Sequence, residues 1–318
     1  MSGTESCDVS PVVRKSRLNV LPSHPYAENP DGAVNPGRFP PWLHRKLPSS
    51  TDLAKTDGVI NKHRLHTVCE EAKCPNRWEC WSHNTATFLV MGRECTRACG
   101  FCDIATSKTP PPLDPEEPQR VADSVRELGL KHAVITMVAR DDLPDGGAQH
   151  LVDIVAQVRA YCPQSTVELL VSDLGGSEEA WLTVLNSKPE VFNHNIETVR
   201  SLTPRVRHRA TYDRTLQLLA FAGSHRILPK MLVKSGIMVG LGETEEEVFD
   251  TIRDLKEAGC NTITIGQYLQ PNRRKLLVKA FVTPEQFERY ASFGKSIGVQ
   301  NMYCGPFVRS SYNAGLFL

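Results

Sequence analysis

The sequence predicts an α/β protein built as a partial (β/α)6 barrel, an open relative of the TIM barrel, with N- and C-terminal extensions. Two observations lead to this prediction. Six short apolar segments suited to buried strands alternate with segments suited to helices. Strict alternation is typical of parallel strands joined by right-handed crossovers. The two further strand–helix units that a closed eight-stranded barrel requires are not recognisable.

The predicted strands are rich in β-branched and other apolar residues, and turn-forming residues separate them from the helices. They cover residues 85–91, 132–138, 166–173, 191–197, 231–239 and 261–269. Helices are predicted over residues 52–68, 114–128, 148–161, 177–185, 213–222, 244–259 and 283–296. Capping signals support them, since Thr244 and Glu247 are spaced as a capping box and Gly259 ends the same helix.

Composition divides the chain into four parts. Residues 1–50 are rich in Pro, Ser, Asn and Arg without periodicity, which predicts a partly irregular N-terminal arm. Residues 51–84 carry a first group of cysteines, and residues 85–300 form the predicted barrel. Residues 301–318 are a C-terminal extension that contains Arg309-Ser310-Ser311-Tyr312.

Charge and hydropathy exclude several classes of protein. With 40% hydrophobic and 23% charged residues and a net charge of +1, the chain lacks the basic excess of a general nucleic-acid binder. No apolar run approaches the roughly 20 residues that span a bilayer. The first residues resemble neither a secretory signal nor an Arg-rich transit peptide. We therefore expect a cytoplasmic protein, or an organellar matrix or stromal one if a transit peptide has been removed.

Six of the ten cysteines fall in two groups of three within residues 68–103. Disulfide scaffolds are typical of short secreted chains, so a metal site is the better interpretation. Structural zinc prefers paired short-span knuckles, whereas each group here supplies three thiolates. Three thiolates on a [4Fe–4S] cluster leave one iron open to a small-molecule chelate. Zinc remains the alternative to an iron–sulfur cluster, and it is a stronger alternative for the first group than for the second. The groups are Cys69-x4-Cys74-x5-Cys80 and Cys95-x3-Cys99-x2-Cys102.

The second group, within Cys95-Thr-Arg-Ala-Cys-Gly-Phe-Cys102, matches the signature of the radical S-adenosylmethionine (SAM) superfamily. The first group and Arg309-Ser-Ser-Tyr312 narrow the resemblance to the lipoyl synthases, over about residues 38–316. Two local features depart from that family. Lys275-Leu-Leu-Val278 stands in place of His-Leu-Pro-Val, and Ala139 precedes Arg140 where an acidic or polar residue is usual.

The resemblance implies two [4Fe–4S] clusters and SAM as cofactors. One cluster would be held by the second cysteine group and would bind SAM. The other, an auxiliary cluster that donates sulfur, would be held by the first group and an oxygen ligand, Ser311 rather than Ser310, with Arg309 close to the substrate. The expected catalytic residues are Cys95, Cys99, Cys102, Ser311 and Arg309, and the expected metal ligands are Cys69, Cys74, Cys80, Cys95, Cys99, Cys102 and Ser311. The expected SAM-binding residues are Phe101, Asn195, Glu197, Lys234 and Gln267.

The implied activity is insertion of sulfur at C6 and C8 of a protein-bound octanoyl-lysine to give lipoyl-lysine. No positioned acid or base ionises such unactivated C–H bonds, so a radical cofactor is needed. The implied partners are octanoylated lipoyl domains of 2-oxoacid dehydrogenase subunits, the glycine-cleavage carrier protein, and a small reductase such as flavodoxin or ferredoxin. The alternatives are another sulfur-inserting radical SAM enzyme of the biotin synthase kind and a zinc-binding interaction module.

One charged run admits two interpretations. Arg273, Arg274 and Lys275 form a small basic patch. It is either a solvated face or a docking site for an acidic carrier domain.

Overall fold

A computed structural model describes residues 39–44, 53–82, 86–312 and 314–317. Most of the predicted N-terminal arm lies outside these residues. The strands within them are β1 (His66–Thr67), β2 (Thr87–Val90), β3 (Glu94–Cys95), β4 (Ala105–Thr106), β5 (His132–Met137), β6 (Thr166–Leu170), β7 (Val191–Asn193), β8 (Leu232–Val239), β9 (Thr262–Gln267) and β10 (Asn301–Gly305). The α-helices are α1 (Leu53–Lys62), α2 (Val68–Glu71), α3 (Arg77–Ser82), α4 (Glu117–Leu128), α5 (Ala148–Tyr161), α6 (Glu178–Asn186), α7 (Thr203–Val206), α8 (Tyr212–Ser224), α9 (Glu245–Glu257) and α10 (Pro284–Ser296).

Eight strands form one sheet in the order β1-β2-β5-β6-β7-β8-β9-β10. Every neighbouring pair from β2 to β10 is parallel, and β1 alone runs antiparallel to its neighbour. Within the described residues β1 and β10 do not pair with each other, so the sheet is open there. The predicted α/β class and the six predicted strands are confirmed.

One predicted helix boundary was wrong. The first helix ends at Lys62 instead of continuing to residue 68, because the chain turns at Arg64, whose φ is +51°. Beyond this turn His66 and Thr67 pair with β2. The sheet also gains β10, which the sequence did not predict. Only Met302 of its five residues is buried, so β10 lacks the apolar run that marks the other strands.

The helices pack their apolar faces on the outside of the sheet. In α9 the predicted capping box is present, with Thr244 and Glu247 each accepting from the other's backbone N–H. At the N-terminal end of the described chain, Leu43 is buried and the Phe39 ring contacts Phe281 edge-on at 5.8 Å. None of the described helices has the length and apolar character needed to cross a membrane.

The inside of the barrel contains a buried ion pair. Lys234 on β8 and Glu168 on β6 are both 0% exposed, and Lys234 Nζ lies 3.0 Å from Glu168 Oε1. Asn193 donates to the same oxygen at 2.7 Å, and His132 lies 3.4 Å from the other. Burial would raise the pKa of Glu168, but Lys234, His132 and Asn193 together outweigh that effect and hold the pKa below its ordinary value, so the carboxylate stays charged.

We predict that Lys234→Met destabilises the fold by about 3–5 kcal/mol at neutral pH, because Glu168 is left buried and unpaired. Urea unfolding measures this loss. In the variant, burial raises the pKa of Glu168, so the loss should shrink as the carboxyl is protonated on acidification. The double variant Lys234→Met/Glu168→Gln should recover most of the stability. A loss of less than about 1 kcal/mol in the single variant would contradict the role given to the pair.

Candidate active site

The second cysteine group lies on the loop that leaves the carboxyl end of β2. Met91 and Gly92 both adopt positive φ, +69° and +84°, and turn the chain across the mouth of the barrel. Cys95 belongs to β3, which pairs with β4, and its carbonyl accepts from Ser107 at 3.0 Å. The loop that carries all three cysteines is therefore closed at its base by a short ribbon, above the strand ends where α/β barrels bind substrates.

The three thiols of this loop lie close enough to perturb one another. Burial raises the pKa of Cys99 to about 11 and that of Cys102 to about 12, and the nearby Cys95 adds to both shifts. Among the described residues no three His, Cys, Asp or Glu side chains converge tightly enough to hold a single metal ion. Half-buried thiols that neighbour one another suit a cluster of several irons, whose charge would deprotonate them on binding.

Arg97, inside the cysteine loop, fastens that loop to two strands. Its buried guanidinium lies 2.6 Å from Asp141 Oδ1, after β5, and 2.5 Å from Asp173 Oδ1, after β6. The Thr96 hydroxyl also donates to Asp141, at 2.9 Å. Burial alone would lower the pKa of Arg97, but the hydrogen bonds that it donates to both carboxylates raise it. In turn Arg97 lowers the pKa of Asp141 to about 2. We call the side chains of Arg97, Asp141 and Asp173 the Arg97 latch.

Two of the expected SAM-binding residues lie together just beyond β7. Asn195 hydrogen-bonds to Glu197, whose pKa is raised by burial and partly restored by Arg207, Asn195 and Arg309. Glu197 also raises the pKa of both Cys99 and Cys102, so it faces the cysteine loop. Its φ of +68° is strained for a residue with a side chain. Backbone strain of this kind is common where a side chain must be aimed at a ligand.

Arg207 is a member of this group that the sequence did not predict. It is buried, and it donates to the Asn195 carbonyl at 2.7 Å and to the Thr215 hydroxyl. Its Nε makes no hydrogen bond within the described residues. Arg207 also lowers the pKa of Cys99. The sequence signal for a buried cation here was a triplet of arginines without nearby acids, Arg205, Arg207 and Arg209. The sequence alone does not tell which of the three is buried.

The other three expected SAM-binding residues make different contacts. Lys234 is paired with Glu168, as described above. The Gln267 amide donates to the carbonyl oxygens of Val239, Tyr268 and Ala280 at 3.2, 3.0 and 3.0 Å, as a structural residue would. Phe101 is half-buried against a small apolar cluster at the mouth. For all three a role in SAM binding stays a prediction.

The first cysteine group lies beside the C-terminal extension. Asn76, between Cys74 and Cys80, donates to the Phe307 carbonyl at 2.6 Å. The Tyr312 hydroxyl donates to Glu79 at 2.8 Å. These two hydrogen bonds hold the extension on both sides of Ser310 and Ser311, so the structure brings the serines and the cysteine segment together.

The extension reaches the barrel interior because two strand residues lack side chains. A Cβ on Gly236 would lie 2.7 Å from both Asn195 Oδ1 and Ser310 Oγ, and one on Gly266 would overlap the Val308 carbonyl. The Ser310 hydroxyl donates to Asn195 at 2.7 Å. Ser310 is thus engaged with the Asn195–Glu197 group, and Arg309 influences Glu197 from the same segment.

The thiols of the first group differ in exposure, since Cys74 and Cys80 are half-buried. Cys69 is buried, and burial raises its pKa to about 11, with Cys74 adding to the shift. Cys74 N–H donates to the Cys69 carbonyl at 3.2 Å, which forms a tight turn between them. The nine cysteines of the described chain are all free of disulfides.

Comparison with known proteins identifies close relatives. The family described as the radical SAM superfamily matches residues 89–255. The chain is 63% identical to the lipoyl synthase of Protochlamydia amoebophila over 95% of this chain and 93% of that protein. It is 49% identical to the lipoyl synthase of Chlamydia muridarum over 92% of this chain and 94% of that protein.

Solved structures resemble this one in fold. Methylornithine synthase (PylB) aligns with a TM-score of 0.54 at 15% identity, over 67% of this chain and 63% of that one. SuiB of Streptococcus suis bound to S-adenosylmethionine aligns with a TM-score of 0.52 at 12% identity, over 73% of this chain and 53% of that one. At such low identity these structures support the partial barrel alone.

We predict that Asp141→Asn lowers stability by about 1–3 kcal/mol, because Arg97 loses a charged hydrogen-bond partner. Since the pKa of Asp141 is lowered to about 2, its contribution is complete above its ordinary value of 3.8 and is lost as pH falls towards 2. Thermal unfolding of the wild type and of the variant, measured from pH 2 to 7, should therefore show stabilities that converge in acid. Asp250→Asn, which breaks the pair with Arg253, should cost much less, because that pair is exposed to solvent. Equal losses in both variants would contradict the latch.

Proposed function

We propose that this chain, which belongs to the lipoyl synthase family of the radical SAM superfamily, carries out that family's reaction. It inserts sulfur at C6 and C8 of a protein-bound octanoyl-lysine and so forms lipoyl-lysine. The observation that carries this proposal is 63% identity to a lipoyl synthase over 95% of the chain, together with both cysteine groups and the Arg-Ser-Ser-Tyr segment.

The cofactors of the superfamily are a [4Fe–4S] cluster and SAM. Together they supply a carbon radical strong enough to remove hydrogen from a saturated chain. Cys95, Cys99 and Cys102 would hold the cluster, as three half-buried neighbouring thiols on one loop. The Arg97 latch fixes that loop relative to β5 and β6, so that the three thiols keep their positions during turnover.

The buried polar group beside the loop is suited to hold SAM. A carboxylate, a guanidinium and an amide lie together there, in Glu197, Arg207 and Asn195. These are complementary to the ammonium, carboxylate and hydroxyl groups of SAM, respectively. Because the site is largely shielded from water, each such contact is stronger than it would be in solution.

An auxiliary [4Fe–4S] cluster on Cys69, Cys74 and Cys80 is the proposed sulfur source. Ser311 is the better candidate for the oxygen ligand, since the Ser310 hydroxyl already donates to Asn195. Hydroxyl oxygen suits iron less well than thiolate does. A weak ligand would make sense for a cluster that is dismantled as its sulfur is transferred. Arg309, on the same segment, is proposed to contact the substrate.

Neither alternative function is favoured by a specific observation. A zinc-binding interaction module would not require six parallel strands with polar groups at their ends. A biotin-synthase-like enzyme would lack the first cysteine group, whereas here that group is tied to the C-terminal extension by Asn76 and Tyr312.

The proposed partners follow from the reaction. The substrates would be octanoylated lipoyl domains of 2-oxoacid dehydrogenase subunits and the glycine-cleavage carrier protein. A small reductase such as flavodoxin or ferredoxin would supply electrons to the SAM-binding cluster. We propose the cytoplasm as the compartment, because free thiols and iron–sulfur clusters persist in a reducing environment.

We predict about eight irons and eight sulfides per chain after anaerobic purification, falling to about four in the Cys69→Ala/Cys74→Ala/Cys80→Ala variant. The variant should still cleave SAM but should convert no octanoyl-lysine peptide. The matched control replaces the scattered Cys162, Cys260 and Cys304 by Ala and should keep both clusters. Four irons in both the wild type and the triple variant would contradict a second cluster, and zinc without sulfide would contradict the whole proposal.

A further inference from the structure

Two loops at the barrel mouth concentrate positive charge. Residues 204–211 contain three arginines and residues 270–283 contain two arginines and two lysines, and neither segment has an acidic residue. The whole chain has a net charge of only +1. These two segments therefore carry a local excess of positive charge on a nearly neutral molecule.

Both loops are attached to the cysteine loop by the same residue. Gly100, between Cys99 and Cys102, donates to the Val206 carbonyl at 2.9 Å, and its own carbonyl accepts from Leu276 at 3.0 Å. Asn272 also donates to Asp103, just after Cys102. The positive charge thus borders the candidate active site directly.

Five cations of these loops have no acidic partner within the described chain. We call them the basic rim: Arg205, Arg273, Arg274, Lys275 and Lys279. Two nearby arginines behave differently, because Arg209 pairs with Asp141 at 3.2 Å and Arg207 is buried. On the outer helices, exposed arginines such as Arg253 are paired with acids. Unpaired like charges repel one another, so the rim lowers the stability of the free enzyme unless a partner neutralises it.

The rim encloses apolar surface. Leu277 is 37% exposed, and Leu276 is half-buried beside it. Leu202, Arg205, Val206, Leu241, Leu276 and Leu277 line a small crevice between the two loops. One exposed and one half-buried leucine, bordered by cations, resemble a protein interface, which has an apolar centre and a charged border.

We propose that the basic rim is the docking surface for the carrier protein, and that it binds an acidic protein surface around the octanoyl-lysine. This inference rests on the proposed function, which requires a protein-bound acyl chain to enter the mouth. Complementary charge would orient the carrier as it approaches and would lower the concentration at which it binds. A lysine-bound acyl chain held beside Gly100 would enter next to Cys99 and Cys102.

The test uses the cluster-loaded enzyme and three substrates. These are an octanoylated carrier domain of net negative charge, the same domain with the acids around the octanoyl-lysine changed to amides, and a short neutral octanoyl-lysine peptide. The variant is Arg273→Glu/Arg274→Glu/Lys275→Glu. The matched control is Lys131→Glu/Lys230→Glu/Lys295→Glu, since these exposed lysines lie near the amino ends of the strands and lack ion pairs within the described residues. Equilibrium binding of the carrier and single-turnover rates are measured.

The expected result is a loss of about tenfold or more in affinity for the acidic carrier in the rim variant, with peptide turnover unchanged. The control variant should bind the carrier like the wild type, and the amidated carrier should bind both variants and the wild type equally weakly. Added salt should weaken binding of the acidic carrier to the wild type but should not weaken binding of the amidated carrier.

Three results would overturn the inference: unchanged carrier affinity in the rim variant, an equal loss in the control variant, or an equal loss of peptide turnover. Binding of random single-stranded DNA as tight as that of the carrier would also overturn it, in favour of a nucleic-acid surface. Failure of the wild type to convert even the peptide would instead count against the proposed function, whatever the carrier affinity.

Discussion

The guanidinium of Arg97, shared by Asp141 and Asp173, is the contact on which the mouth of this barrel depends. A loop of three cysteines has little regular structure of its own, and β3 and β4 close only its base. Without a charged link to neighbouring strands its thiols would sample many positions. The latch converts the rigidity of the parallel sheet into a fixed arrangement of thiols, and both carboxylates come from strand ends that the fold already aligns.

The other parts of the site are assembled around that loop. The raised pKa values of Cys99, Cys102 and Glu197 share one cause, burial beside one another. Without a cation, the charged forms of these groups are disfavoured, and they become favourable once positively charged iron is bound. The C-terminal extension adds a second layer, since it passes over Gly236 and Gly266 and links the first cysteine group to Asn195.

The sequence predicted the fold well, for identifiable reasons. Central parallel strands are buried on both faces, so their apolar runs are plain. The strand β10 was not predicted because four of its five residues are not buried, so it lacks a long apolar run. Sequence position also did not reveal where a strand side chain points. Lys234, for which a role in SAM binding stays a prediction, pairs with Glu168, which is 66 residues away in the chain. Arg207 was missed because only tertiary packing distinguishes it from its exposed neighbours Arg205 and Arg209.

The central claim is that this chain donates sulfur from its own auxiliary cluster to an octanoyl chain. The most direct measurement is to rebuild both clusters with heavy-isotope sulfide and to supply an octanoyl-lysine peptide, SAM, a reductant and light sulfide in solution. Mass spectrometry of the product then reports the origin of each sulfur. The account predicts a lipoyl product in which both sulfurs are heavy. A product carrying light sulfur, or SAM cleavage without any sulfur insertion, would contradict it.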